Sequence, residues 1–245
     1  MDTTSRDNFI DGINAFMKVD WVYGARQISE YVAALEERAK VFPEEIRTII
    51  AALAQKGWFL APDIFSLDDY HHFYALSFKN QSTLDQELIA IYAGKIDDVK
   101  EEISRAFPQR AKILLKAFGA HERGDYELSI PVMLAQIDGM CFDVFSKHFF
   151  QQRAQLNDKV EQEGGQRGDD DLLYIIAKPL CGNFPLVMNE GQRKLNSVAP
   201  NELNRHAVLH GENLFYGTET NSLKVISLLS VVRFIDDDLN GHRSS

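Results

Sequence analysis

Near its C-terminal end the chain reads Leu203-Asn204-Arg205-His206-Ala207-Val208-Leu209-His210-Gly211, an arginine followed five residues later by a histidine, with a second histidine directly after the arginine. Arginine is a permanent cation whose forked donors match phosphate oxygens, and histidine exchanges protons near neutral pH. Together they suit proton transfer at a phosphodiester. The spacing alone has low specificity, so the elements that hold these residues must carry the reading.

Five residues turn an α-helix by about 140°. Arg205 and His210 therefore meet only if their helix is short, if one end unwinds, or if a second copy supplies the complement. Gly211 is placed to end a helix just after His210, and Pro200-Asn201 reads as its start. Behind it, Ile130, Met133, Leu134, Ile137, Cys141, Val144 and Phe145 form one face of a long helix over residues 125–150, which Pro131 can kink or begin. Asp138 falls in that apolar row and Gln136 does not, which makes Asp138 the candidate buried carboxylate.

The remaining chain reads as helical. Apolar residues recur at three and four residues over 8–20 and 28–35, from Pro43 to a stop at Gly57, over 66–79 and 83–105, and from Pro108 to Gly124. Alternating strand patterns are scarce, so the expected fold class is all-α, a helical bundle. Residues 151–171, rich in charge and glycine, read as a solvated, mobile loop. The last helix, capped by Thr218, is apolar nearly all round, which suits a central helix or one shared with a second subunit.

With 45% hydrophobic residues in 245, the chain can build a full core. Its formal charge of −10 argues against broad adhesion to nucleic acid and leaves room only for a local positive pocket. No DNA partner is expected. The start, Met1-Asp2-Thr3-Thr4-Ser5-Arg6-Asp7, has no basic and apolar leader, and no run approaches a membrane span in length, so the expectation is a cytoplasmic protein without a membrane partner. Cys141 and Cys181 read as buried thiols.

Arg205-His206-Ala207-Val208-Leu209-His210 resembles the signature of HEPN domains: arginine, a polar residue, three further residues and histidine. The words around Ala120-His121-Glu122-Arg123-Gly124-Asp125-Tyr126, Leu128-Ser129-Ile130-Pro131, Tyr216-Gly217-Thr218 and Asn221-Ser222-Leu223-Lys224 are similar to a set of uncharacterised bacterial proteins. The resemblance covers about residues 105–235. It implies a HEPN-like helical domain over 105–245 and says little about residues 1–104, which read from their own patterns as a helical regulatory or assembly part. It also implies a homodimer or higher even oligomer, and a metal-independent endoribonuclease without cofactor, acting in antiviral defence or as a toxin, with an antitoxin or defence partner. Carried over, Arg205 grips the scissile phosphate, His210 is general acid or base, and His206 binds phosphate or orients His210. Asp138, Asn204, Asn221 and His121 are supporting candidates.

Two other readings stay open. The same fold can be a non-catalytic interaction or regulatory protein with a structural Arg–His cluster. Alternatively, His206 and His210, about 40° apart on a helix, can ligate zinc with Glu212 in a hydrolase. His71-His72 with Asp68-Asp69, and the runs Asp169–Asp171 and Asp236–Asp238, read as solvated helix ends and acid clusters. No phosphate-binding glycine loop or serine nucleophile elbow is present.

Overall fold

The computed structural model describes residues 42–168, 171–196 and 202–243. The chain divides into two units, Met1–Pro43 and Glu44–Ser245, and the described residues lie almost wholly in the second. The helical patterns at 8–20 and 28–35, together with Asp169, Asp170, Pro200 and Asn201, fall outside the described residues. The second unit is an all-α bundle.

Helix α1, described over 42–55, ends at Gly57, whose φ of +80° is the left-handed conformation that stops a helix. There follow α2 (Leu67–Lys79), α3 (Gln81–Gly94), α4 (Ile96–Ala106), α5 (Ala111–Glu122), α6 (Tyr126–Phe145), α7 (Arg153–Arg167) and α8 (Leu172–Leu180). A short 3-10 turn (Pro185–Val187), α9 (Glu190–Leu195), α10 (Arg205–Leu209) and α11 (Glu219–Arg243) complete the unit.

The stretch expected as one helix over 83–105 is two, with the break at Lys95. The boundary near residue 104 falls within α4, and residues on both sides belong to one unit. Residues 153–167, expected as part of a loop, form α7. Leu156 and Val160 are buried one turn apart, and a Cβ on Gly164 would meet the Tyr174 ring of α8. Sparse apolar residues thus sufficed because they sit four apart on one face.

α11 settles its own alternatives. It packs on α3, α4, α6 and α8, and Leu223, Val225, Ile226, Leu228, Leu229, Val231, Val232 and Ile235 are all buried within one chain. It is a central helix, and the subunit interface expected of it is not available. The segment before α2 is also interior: Trp58, Phe59, Leu60 and Ala61 are buried. Their irregular backbone is satisfied by side chains, with Tyr92 Oη donating to Phe59 O at 2.8 Å, Tyr70 Oη donating to Leu60 O at 2.6 Å, and Phe59 N donating to Ser227 Oγ at 3.2 Å.

Leu229→Ala, which empties a site at the centre of α11, is expected to cost about 2–5 kcal/mol of unfolding free energy. Leu195→Ala, at an exposed position on α9, should change it by less than about 0.5 kcal/mol. Urea denaturation followed by circular dichroism measures both.

Candidate functional site

The short α10 is held from both ends. Asn204 is its N-cap: Oδ1 accepts from Ala207 N at 2.9 Å, while Nδ2 donates to Pro185 O at 2.6 Å and Met188 O at 2.8 Å. Every polar position of this fully buried amide is used, so Asn204 is an anchor and has nothing left for a substrate. At the other end Gly211 has φ +70°, and Glu212 N and Asn213 N both donate to Ala207 O, at 2.8 and 3.1 Å. The predicted stop is there, in the left-handed form that favours glycine.

The loop leaving α10 is tied to α6 through Pro131. Proline has no N–H for the carbonyl four residues back, and that carbonyl, Glu127 O, accepts from Tyr216 Oη at 3.0 Å. Pro131 neither begins α6 nor breaks it; it frees an acceptor for the loop. Gly217 passes so close that a Cβ there would lie 2.3 Å from Glu127 Cδ.

On this frame the expected residues separate. His206 and His210 come together, with ring centroids 4.3 Å apart. His210 is exposed at the C-cap, and His206 is partly covered, its Nδ1 3.6 Å from Glu212 Oε1. Glu212 is itself paired with Arg193 of α9. Arg205, at the first position of α10, turns its guanidinium over the Phe150 ring at 5.4 Å. Arg205 Nε, His206 Nδ1 and Arg193 Nε are buried and have no hydrogen-bond partner among the described residues. The unpaired Nε atoms of Arg205 and Arg193 leave this cluster incompletely satisfied.

Asp138 faces an imidazole, that of His148, without a hydrogen bond between them. His148 Nδ1 lies 3.1 Å from Asp138 Oδ2, and Asp138 Oδ1 accepts from Phe150 N at 2.9 Å. His148 is half-exposed and stacks on Phe142 at 4.8 Å. The chain reaches this position by turning at Ser146, a non-glycine residue at φ 55°. Arg205 over Phe150, Phe150 N–H on Asp138 and Asp138 on His148 form a continuous chain of contacts. His148 is the group sequence reading missed; its only signal was a histidine near the end of the apolar helix expected over 125–150, which also carries Asp138.

His121 and Asn221 belong elsewhere, around the start of α11. His121 Nδ1 and Ser222 Oγ are 2.8 Å apart, and Ser222 Oγ is 3.1 Å from Ser129 Oγ, all buried. Asn221 Nδ2 donates to Tyr216 O at 3.0 Å, and Asn221 N donates to the capping Thr218 Oγ1 at 3.2 Å. Both residues therefore act on the frame, one in the core and one on the loop.

Among the described residues no group of three His, Cys, Asp or Glu side chains is arranged to hold a metal ion. Burial pushes the Cys141 thiol well up and that of Cys181 to about 11, as buried thiols require. α6 is long and apolar enough to cross a membrane, contrary to the sequence expectation, with half of its most apolar window buried within the fold.

Removing the Asn204 amide should cost a helix cap and strand two buried carbonyls. Asn204→Ala is expected to lower stability by about 2–3 kcal/mol in thermal or urea unfolding. Burial holds the His121 imidazole below its ordinary value, while Glu219 and Glu122 pull it back up. Since the unfolded chain then binds the proton first, this group should lose stability as pH falls below about 6.5 and reach a plateau under its folded value. His121→Gln, compared with wild type from pH 7.5 to 5, should remove that part of the slope; identical slopes would refute it.

Comparison with models of known protein families, with curated proteins and with solved structures gives no match to this chain.

Proposed function

We propose that the chain is a cytoplasmic, metal-independent endoribonuclease of the HEPN type, working as a homodimer on an RNA substrate in antiviral defence or as a toxin, with a cognate antitoxin or defence partner. The observation that carries this is the contact of His206 with an exposed His210, beside the Arg193–Glu212 pair, with Arg205 at the other end of the same short helix. The Arg205 guanidinium would meet a phosphate oxygen. His210, reached by solvent, takes the proton of the substrate's 2′-hydroxyl as O2′ bonds to phosphorus. The P–O5′ bond breaks in line, and a protonated imidazole returns a proton to the leaving 5′-oxygen. The products are a 2′,3′-cyclic phosphate and a 5′-hydroxyl. Glu212, between Arg193 and His206, is the group that orients His206.

Arg205 and His210 stand at opposite ends of a five-residue helix, and this supports a composite site in which a second copy supplies the missing half. Exposed Leu209 and Leu214 flank His210 and offer apolar area for that copy. His148, which faces Asp138 on the Arg205 side, is a second proton-transfer candidate in this reading. The non-catalytic alternative draws on the Arg193–Glu212–His206 contacts, which make part of the cluster self-contained.

Purified protein incubated with total RNA in EDTA should cleave it and leave 2′,3′-cyclic phosphate ends. Arg205→Ala and His210→Ala should each lower the rate at least about a hundredfold, on the scale of lost acid–base catalysis, and Leu195→Ala should not. Intact RNA under every condition would favour the interaction protein. Stoichiometric zinc that disappears in His206→Ala would overturn the metal-free mechanism.

A further inference from the structure

A cleft of about 500 Å³ opens between the end of α1, the first turns of α3 and the start of α11, with Glu202, Leu203 and Phe215 from either side of α10 along its wall. Its polar groups are incompletely paired. Asp85 Oδ1 accepts from Trp58 Nε1 at 2.7 Å and from Gln81 Nε2 at 2.8 Å, and faces Lys224 Nζ at 3.6 Å. All three converge on Oδ1, and Asp85 Oδ2 has no partner among the described residues. Gln81 Oε1, buried beside it, has none either.

The opposite polarity is supplied by Lys224. Its stem lies across Gly57, its ammonium sits 5.6 Å from the Trp58 ring, and only 12% of the side chain is exposed. Packed in this way it cannot swing out freely to water, yet it makes no polar contact closer than 3.6 Å among the described residues. One buried, unpaired acceptor, Gln81 Oε1, and one carboxylate oxygen open to solvent, Asp85 Oδ2, therefore stand near one under-used donor. At the rim Lys56 adds a second cation, and Phe215 is 78% exposed on a backbone whose N–H donates to Asn213 Oδ1 at 2.9 Å. An aromatic exposed at a cleft mouth presents a flat face for stacking.

We propose that this cleft binds a nucleotide whose base carries an exocyclic amine beside an acceptor ring nitrogen, as adenine and cytosine do. The amine donates to Asp85 Oδ2 and Gln81 Oε1, the ring nitrogen accepts from Lys224 Nζ, the base stacks on Phe215, and Lys56 meets the phosphate. Bases with a carbonyl in place of the amine present acceptor to acceptor and donor to ammonium, so they are rejected. The site stands whether or not Arg205 and His210 cleave RNA.

Isothermal titration of the full chain with AMP, CMP, IMP and UMP tests this. AMP and CMP should bind, and IMP and UMP at least about tenfold more weakly. Phe215→Ala should weaken AMP on the order of tenfold and Lys56→Ala should weaken it too, whereas Phe78→Ala, an exposed aromatic on α2, should not. A 2′-O-methylated adenine-containing hexamer separates the sources. Parallel loss of AMP and hexamer binding in Phe215→Ala assigns the cleft to a base of an RNA strand, and loss of AMP alone assigns it to a free nucleotide. Equal binding of all four mononucleotides, or no binding of AMP at millimolar concentration, overturns the proposal.

Discussion

The fold depends on burying the central turns of α11, residues 221–235, which leaves little water for the polar groups there. Each must then find a partner inside, and those partners locate the other elements. Ser222 meets His121 and Ser129, which fixes α5 and α6 against the helix start. Ser227 Oγ accepts the Phe59 N–H and secures the interior segment after α1. Arg233, buried near the far end, pairs with Asp63 and with Asp237 and lies 3.5 Å from Glu102 of α4. Apolar contacts supply most of the driving force, but they are non-directional. The serines and the arginine are what give the packing one register.

The motif helix inherits its position from that register. α11 begins at Thr218, and the loop before it is clamped where Tyr216 takes the carbonyl that Pro131 leaves free and where Gly217 clears Glu127. On the other side Asn204 is bonded to the turn at Pro185–Met188. A five-residue helix cannot be stable by itself, because nucleation costs more than so few bonds return. α10 exists because its two ends are pinned, and so the spacing of His206 and His210 is set by residues that never touch them.

Much of this was legible in the chain. The all-α class, the stop at Gly211 and the cap at Thr218 follow from periodicity and from local chemistry of one residue type, and they were read correctly, whereas Asp138, read as buried, is partly exposed. What the chain concealed was pairing over distance. Asn204 read as a supporting hydrogen-bonding candidate because nothing local shows that Pro185 and Met188 take its amide. Asp138 was expected to position an imidazole or the arginine of the motif, and the left-handed turn at Ser146 instead sets His148 3.1 Å from it. The helix α7 was hidden by its low apolar content, since two buried residues one turn apart make a weak pattern. His121 carried the wording of a site and proved to be a core histidine, for α11 covers it.

Charge sets what the proposed site can ask of a polyanion. Around α9 and α10, Lys194 is held by Glu190 and Arg193 by Glu212, while Arg205 lies over the Phe150 ring with no carboxylate partner among the described residues. Against a formal charge of −10, little net attraction remains for a phosphate backbone, and counterion release from one or two phosphates gives weak affinity. Discrimination then has to come from bases and shape and not from the backbone. For the endoribonuclease proposed above, selectivity would therefore rest on the groups that flank α10 and not on bulk charge.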